Sequence, residues 1–517
     1  MRIFCAAILA ALFFTTDGVL AQDVYLRSRD GGIELDGTLL GFDGEFYRVQ
    51  TQYGELTVDG SGVLCEGPGC PSLTDFVAEM QVSGSATIGA VLMPALVEGF
   101  AMRNGLRTAR EERGPGLFRY TLSDPNEDRT VGRFDFRISN TDTGFADLLA
   151  DDADIVMALR EIRAGEISAA RDAGLGDLRD ANRSRVIALD AMIPVVAPNN
   201  PLSAISLADL ALVMAGKLNN WQDLGGADAP IVLHLRDGGS GLSQGLADRL
   251  LRPARLTLSD SAERHASNLS LAEAVAADPF GIGLASYADT ANAKALVLTG
   301  SCGFQLRGTR PTIKTEDYPL TAPMFLYLPA RRLPKLARDF LTYTRSAPAQ
   351  IVIRRAGFVD QSPEEIPMNA QGDRLANAVT VAEGSEGLAT LQSMVSTLSP
   401  MRRLSTSFRF EPGSARLDAQ SRSNVQQLAR SLEIGDYDGR KLVFVGFSDG
   451  QGPAGPNLEI AHKRAAAVRD AVIATAEAAN LARLDLGTDA FGEAMPMACD
   501  DTVWGRQVNR RVEVWLQ

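Results

Sequence analysis

Ile231-Val-Leu-His-Leu-Arg236-Asp-Gly-Gly-Ser-Gly241-Leu runs from a buried-strand pattern through a glycine-rich loop into apolar residues one helical turn apart, Leu242, Leu246 and Leu250. A strand opening through such a loop into a helix is the repeating unit of an α/β fold. Two upstream stretches share the plan. Ser83-Gly-Ser85-Ala-Thr87 precedes Ile88, Leu92, Leu96 and Phe100, and Asn140-Thr-Asp-Thr143-Gly precedes Phe145, Leu148 and Leu149. A helix start leaves backbone N–H groups unpaired and carries partial positive charge, and glycine lets an anion approach them. Three convergent starts would make an oxyanion site, with the Arg236 guanidinium as a bidentate fork. Each loop taken alone also reads as an ordinary N-cap.

Strand-like and amphipathic helical stretches alternate over residues 73–360. Toward the N-terminus, residues 22–72 read as short strands such as Asp23-Val-Tyr-Leu-Arg27 and Glu45-Phe-Tyr-Arg-Val-Gln-Thr51, separated by Asp30-Gly-Gly, Asp43-Gly and Tyr53-Gly turns. They predict a small antiparallel β module. Residues 361–403 turn polar and rich in Ala, Ser and Glu and read as a partly helical linker with reach of its own. Residues 404–517 form a β/α unit, with the strand Lys441-Leu-Val-Phe-Val-Gly446 ahead of a helix carrying Leu458, Ala461, Ala465, Val468 and Val472.

The first residues read as a secretory signal peptide, 1–21: Arg2 supplies the positive region, Ile3 to Phe14 the apolar region, and Val19-Leu-Ala21 a small-residue cleavage motif. Cleavage after Ala21 leaves Gln22 first, where a lipoprotein would need cysteine. No later stretch approaches about 18 uninterrupted apolar residues. In an oxidising compartment Cys65-Glu-Gly-Pro-Gly-Cys70 has turn formers between its thiols and is expected to close a disulfide, while the state of Cys302 and Cys499 stays open.

The 517 residues carry 51 basic and 64 acidic side chains, a net charge of −13. That balance argues against nucleic acid as a partner, which would need a basic stripe. The histidines number three, His234, His265 and His462, and lie far apart in the sequence, so a histidine-built metal centre or triad is not expected. His234 alternates with apolar neighbours and reads as a satisfied core residue. With no metal-ligand cluster and no GxSxG elbow, the chain reads as a binding protein, not an enzyme, with no cofactor.

Val82-Ser-Gly-Ser-Ala-Thr-Ile-Gly89, Pro194-Val-Val-Ala-Pro-Asn-Asn-Pro201, Ala215-Gly-Lys-Leu-Asn-Asn-Trp-Gln-Asp-Leu-Gly-Gly226 and Arg236-Asp-Gly-Gly-Ser-Gly241 resemble the phosphate-binding periplasmic proteins of ABC transporters. The resemblance implies a two-lobed type II periplasmic-binding-protein fold that closes like a hinged clamp, with one crossing near Ala188 to Pro194 and a return near Leu284 to Thr299. It further implies that Ser85, Thr87 and the Ile88 amide, Thr143, and Arg236, Ser240 and Gly241 bind inorganic phosphate or a similar oxyanion. Two positions depart from the pattern. Leu242 stands where the family usually has threonine, and Leu159 where it offers a serine or an aspartate that accepts a hydrogen bond from protonated phosphate.

Phe410-Glu-Pro-Gly-Ser-Ala-Arg-Leu417, Gly446-Phe-Ser-Asp449, Phe491-Gly-Glu-Ala-Met-Pro496 and Asn509-Arg-Arg-Val-Glu513 resemble the OmpA-like peptidoglycan-binding domain, a β/α sandwich. From spacing alone, Asp449 and Arg464 read as a loop–helix salt bridge; by the resemblance Asp449 takes the ammonium and Arg464 the carboxylate of diaminopimelate in the stem peptide, while Asn457 orders the loop.

The expected whole is therefore a multidomain α/β protein located in the periplasm, associated with peptidoglycan and the outer membrane. It would capture an oxyanion and hold to the cell wall, with an envelope protein or a permease as further candidate partners. The alternative is a structural or signalling envelope protein whose two-lobed domain has lost solute binding.

Overall fold

The computed structural model describes residues 23–72, 75–382, 384–411 and 413–517. The leader read into residues 1–21 lies outside them. The chain divides into two compact units, one of residues up to 78 with 333–337, the other of the remainder.

In the first unit, strands Asp23–Ser28, Glu34–Phe42, Phe46–Thr51, Gly54–Asp59 and Val63–Glu66 form an antiparallel sheet in the spatial order fourth, third, second, first, fifth. Alternation along these strands puts Val24, Leu26, Tyr47 and Val49 on the buried face. Cys65 and Cys70 are joined by a disulfide, with Cα atoms 5.8 Å apart.

The second unit is built on an 11-stranded sheet. Strand Ala78–Ser85 pairs in parallel with Ile155–Ala158, which pairs with Thr321–Tyr327 in the first lobe. In the second lobe Val232–Arg236 lies between Gly281–Ser286 and the edge strand Glu263–His265, parallel to both. The long strand Ser184–Val196 joins the lobes: residues 184–191 pair with Thr321–Tyr327, and 192–196 with Gly281–Ser286. This is the forward crossing where the sequence places it. The return falls later than expected, at Tyr318 to Thr321 and into Thr321–Tyr327, because residues 294–306 first pair within the second lobe. At the crossing, the carboxylate of Asp190 is wholly buried and accepts from the Ser286 hydroxyl at 2.6 Å.

The C-terminal sandwich has five strands in the order Glu365–Pro367, Arg402–Arg409, Arg511–Leu516, Lys441–Phe447, Asp485–Gly492. Helices Ala419–Glu433 and Ala454–Thr475 cover one face, where Leu442 and Phe444 meet Val425, Leu428, Ala465, Val468 and Val472. Close contact of strand and long helix needs a residue without Cβ: at Gly446 a Cβ would stand 2.0 Å from the Ala461 carbonyl oxygen.

Residues 361–403 are not a free linker. Glu365–Pro367 adds an edge strand to the sheet, and helices Gly372–Val381 and Gly384–Leu398 cover its second face. There Ala378, Leu391, Met394 and Leu398 pack on Val443, Val445, Phe447 and Trp515. The cause is readable in Lys441–Phe447, which is apolar on both faces and so must be covered on both. At about 25 cal/mol per Å2 of apolar surface, leaving the Val443–Trp515 face open would cost several kcal/mol.

The sandwich is also fixed to the two-lobed domain. Cys302 and Cys499 form a second disulfide, the Trp504 indole N–H donates to the Arg249 carbonyl at 2.9 Å, and Arg422 pairs with Glu161 at 2.8 Å. The reach expected of residues 361–403 is therefore absent.

Candidate functional site

The first loop sits at the end of strand Ala78–Ser85, whose chain turns through Ala86 and Thr87 into a π-helical turn, Ile88–Leu92, and then helix Met93–Arg103. Gly84 has φ +128, and a Cβ there would lie 2.3 Å from the Met157 carbonyl oxygen, so only glycine fits. Ser85 follows with its hydroxyl buried and, among the described residues, without a hydrogen-bond partner. Ile88 is buried and Thr87 half-buried.

In the second loop Asn140 caps helix Thr141–Leu149 by accepting from the Thr143 amide at 2.9 Å, and the Thr141 hydroxyl accepts from the Leu159 amide at 3.2 Å. In the third, Ser240 caps Gly241–Leu246 by accepting from the Ser243 amide at 3.2 Å. The ordinary capping role thus holds for Asn140 and Ser240 alongside any other.

The three loops do converge. A Cβ on Gly239 would lie 3.3 Å from the Asn140 amide nitrogen, which brings the second loop to the third. Asn268 spans from the Arg236 guanidinium to the Thr87 hydroxyl, to which it donates at 3.4 Å, bringing the first loop to the third. Arg236 is buried and donates from Nε to the His265 carbonyl at 3.0 Å, from Nη2 to the Ala266 carbonyl at 2.9 Å, and from Nη1 to Asn268. All three acceptors are neutral. Among the described residues no carboxylate lies within ion-pair distance of Arg236, and burial pulls its pKa below the usual guanidinium value, opposed by nearby Asp237. A buried cation held by neutral acceptors retains its attraction for an anion.

The departures from the phosphate-binding pattern have different fates. Leu242 turns into the apolar core of its lobe. Leu159, buried, packs against Gly241, where a Cβ would stand 2.7 Å from the leucine side chain. Next to it, Arg160 and Asp142 of the first lobe form an ion pair, and Gln244 of the second lobe joins both: it donates to Asp142 at 2.6 Å and accepts from Arg160 at 3.2 Å. Arg163 pairs with Asp248 across the same boundary at 3.2 Å. These contacts latch the lobes together. Spacing could not have paired Gln244 with residues about a hundred positions away, and Asn268 carries no motif.

In the C-terminal sandwich Asp449 lies buried in the loop after Lys441–Phe447, and Arg464 on helix Ala454–Thr475. Their direct salt bridge is not formed. Asp449 instead accepts from Arg510 at 2.6 Å, and the Arg464 guanidinium lies over the Phe410 ring at 5.2 Å. Burial and then Arg510 lower the Arg464 pKa, while Asp449 opposes them. The Asn457 amide donates to Glu493 at 3.1 Å, and the buried Ser448 hydroxyl has no partner among the described residues. Arg510 belongs to the Asn509-Arg-Arg motif, whose spacing gives no sign of its pairing with Asp449.

Two histidines that the sequence separates are neighbours in space. His234 Nδ1 lies 3.0 Å from His265 Nε2, because their strands pair in register. His234 is buried, with Nδ1 toward His265 and Nε2 3.0 Å from Asp278.

Residues 126–348 match the model of the PBP superfamily domain, and residues 409–510 that of the OmpA family. The chain joins a PBP superfamily domain to an OmpA family domain. The PBP match begins after the first loop, yet strand Ala78–Ser85 belongs to the same sheet. Phosphate-binding protein PstS of Borreliella burgdorferi is 25% identical over 197 residues, 37% of this chain and 70% of that protein. PstS of Bacillus subtilis is 25% identical over 193 residues, 36% of this chain and 60% of that one. Among solved structures, an ABC-type phosphate transport receptor from Vibrio cholerae is 18% identical, covering 54% of this chain and 99% of its own, at a TM-score of 0.42.

Proposed function

We propose that this chain is an exported envelope protein, cleaved after Ala21, that captures an oxyanion between its PBP lobes and holds non-covalently to peptidoglycan through its OmpA domain. Inorganic phosphate is the first candidate, in keeping with the names of its PstS relatives. The observation that carries the capture half is Ser85: a buried hydroxyl with no partner, two residues from Thr87, which Asn268 links to the unneutralised Arg236. A bound oxyanion supplies the acceptor that Ser85 lacks and the negative charge that Arg236 lacks. Thr143, Ser240, Gly241 and the Ile88 amide complete the proposed shell.

With Leu159 in place of a carboxylate, the pocket has no buried acceptor that sulfate would leave unpaired, so weak discrimination between phosphate and sulfate is expected. For the cell-wall half, a zwitterionic ligand end needs one anion and one cation held apart, which Asp449 and Arg464 offer. Asp449 must exchange Arg510 for the ligand ammonium. The protein would then reside in the periplasm, bound to the wall beneath the outer membrane.

Calorimetry and thermal shift on the full chain with phosphate and with sulfate test the first half, since a ligand that binds only the folded state stabilises it. Heat and an upward shift with either anion support capture; neither effect at millimolar concentration would sink it. Co-sedimentation with purified sacculi tests the second half, and equal pelleting of wild type, Asp449→Ala and Arg464→Ala would refute it.

A second reading, a structural or signalling envelope protein that recognises a protein partner, is favoured by one feature. Leu159 on Gly241 and the Asp142–Arg160–Gln244 latch keep the cleft closed around apolar and self-paired groups. The same calorimetry separates the two readings, since this one binds neither anion; a permease or another envelope protein is then sought by crosslinking.

A further inference from the structure

At the edge of the second lobe, four side chains that the anion site does not use are arranged in two layers. His234 and Glu263 face each other across parallel strands, and His265 follows two residues after Glu263 on the same sheet face. His234 Nδ1 lies 3.0 Å from His265 Nε2 and 3.5 Å from Glu263 Oε2, and one ligating atom from each of the three residues fits within 4.8 Å of the others. Behind them, Asp278 lies 3.0 Å from His234 Nε2.

That second contact sets the chemistry of the first. A carboxylate at Nε2 holds the proton there, which leaves the Nδ1 lone pair of neutral His234 pointing at His265 and Glu263. Tetrahedral zinc with nitrogen ligands at about 2.0–2.1 Å places the two nitrogens about 3.3 Å apart, a few tenths of an ångström more than they are now. His265 and Glu263 are on the exposed edge strand and can make that adjustment, whereas His234 is fixed by burial and by Asp278. A Cβ at Gly281, on the adjacent strand, would stand 3.1 Å from the His234 ring, so glycine leaves the ring its place.

We propose that His234 Nδ1, His265 Nε2 and the Glu263 carboxylate bind a divalent transition metal of the zinc class, with Asp278 orienting His234 and the fourth position open to water. Two imidazoles and one carboxylate suit zinc, and this set discriminates against calcium and magnesium, which prefer oxygen ligands. The site is separate from the proposed anion cleft, though adjacent to it through the His265 carbonyl, which receives Arg236 Nε.

The test is equilibrium dialysis of the untagged full chain against zinc in phosphate-free buffer, with bound metal measured by mass spectrometry. One zinc per chain is expected, and none in His265→Ala. Loss of Glu263, an exposed side chain whose replacement leaves the fold intact, is expected to weaken binding by at least about ten-fold in Glu263→Gln; Asp278→Asn is expected to weaken it by about 10–100-fold. His462→Ala should keep its metal. With cobalt, wild type should show the intense visible bands of a tetrahedral centre and Glu263→Gln should not. Absence of zinc from wild type at sub-millimolar metal, or full zinc occupancy in Glu263→Gln together with His265→Ala, would overturn the proposal.

Discussion

Asp317 of the PBP domain and Arg403 in strand Arg402–Arg409 of the C-terminal sheet form a bidentate ion pair, at 2.7 and 3.1 Å, with both side chains almost fully buried. Arg403 also lies 3.3 Å from Glu513, which binds Arg511 at 2.7 Å and is paired with Arg374. Charges buried in this way hold each other and tie the two domains together at their boundary.

Removing one partner of Asp317–Arg403 leaves an uncompensated buried charge, at a cost of about 3–5 kcal/mol. Asp317→Ala and Arg403→Ala are each expected to lose that much in denaturant unfolding. The double variant Asp317→Leu/Arg403→Met should lose clearly less than the sum. An additive result would mean that the two charges do not depend on each other.

The Cys302–Cys499 disulfide closes a loop with a sequence separation of 197. Cross-linking so distant a pair restricts the unfolded chain, and about 2–4 kcal/mol of stabilisation is typical. Cys499→Ser should lower the midpoint of thermal unfolding and make the boundary between the two domains more open to proteolysis. Cys65→Ser, which opens a loop of sequence separation 5, should leave that boundary unchanged.

Burial pushes the Asp190 carboxyl up to about 6, against the opposing hydrogen bond from Ser286. The folded protein therefore holds a proton that the unfolded chain, with an ordinary carboxyl near 3.8, has released. Stability from this group is full below about pH 4 and is lost as pH rises through about 6, by on the order of 3 kcal/mol. Asp190→Asn should flatten that part of the profile between pH values of about 4 and 7, measured by urea midpoints. An unchanged slope in Asp190→Asn would show that the group is not responsible.

The Ser85 hydroxyl makes no hydrogen bond among the described residues, so Ser85→Ala should leave stability within about 0.5 kcal/mol of wild type. If the hydroxyl donates to a bound oxyanion, the same variant should weaken anion binding by about ten-fold, equivalent to about 1.4 kcal/mol. Arg236→Lys keeps the charge but loses the fork and should weaken binding further. Calorimetry alongside thermal unfolding distinguishes this pattern from a purely structural role, in which stability and affinity would fall together.

Much of this architecture was legible in the chain because it depends on near neighbours. The strand–loop–helix units, the caps at Asn140 and Ser240, the small β module and the Cys65–Cys70 bridge involve residues a few positions apart, where spacing constrains geometry directly. The strand Lys441–Phe447 is apolar on both faces, but the polar composition of residues 361–403 pointed to a linker. Composition reported their solvent-facing sides; burial of Leu391, Met394 and Leu398 depended on a sheet formed elsewhere in the chain.

The amino-acid order by itself determined which segments become strands and helices and where helix starts are left open to an anion. It also placed Asp449 and Arg464 beside one loop. Folding in three dimensions brings His234 to His265, Asp317 to Arg403 and Cys302 to Cys499, pairs separated by 31, 86 and 197 residues. It also replaced the expected Asp449–Arg464 bridge with Asp449–Arg510. Local backbone preferences reach about one helical turn, whereas contacts at these separations exist only after sheets have paired and apolar faces have been buried against each other.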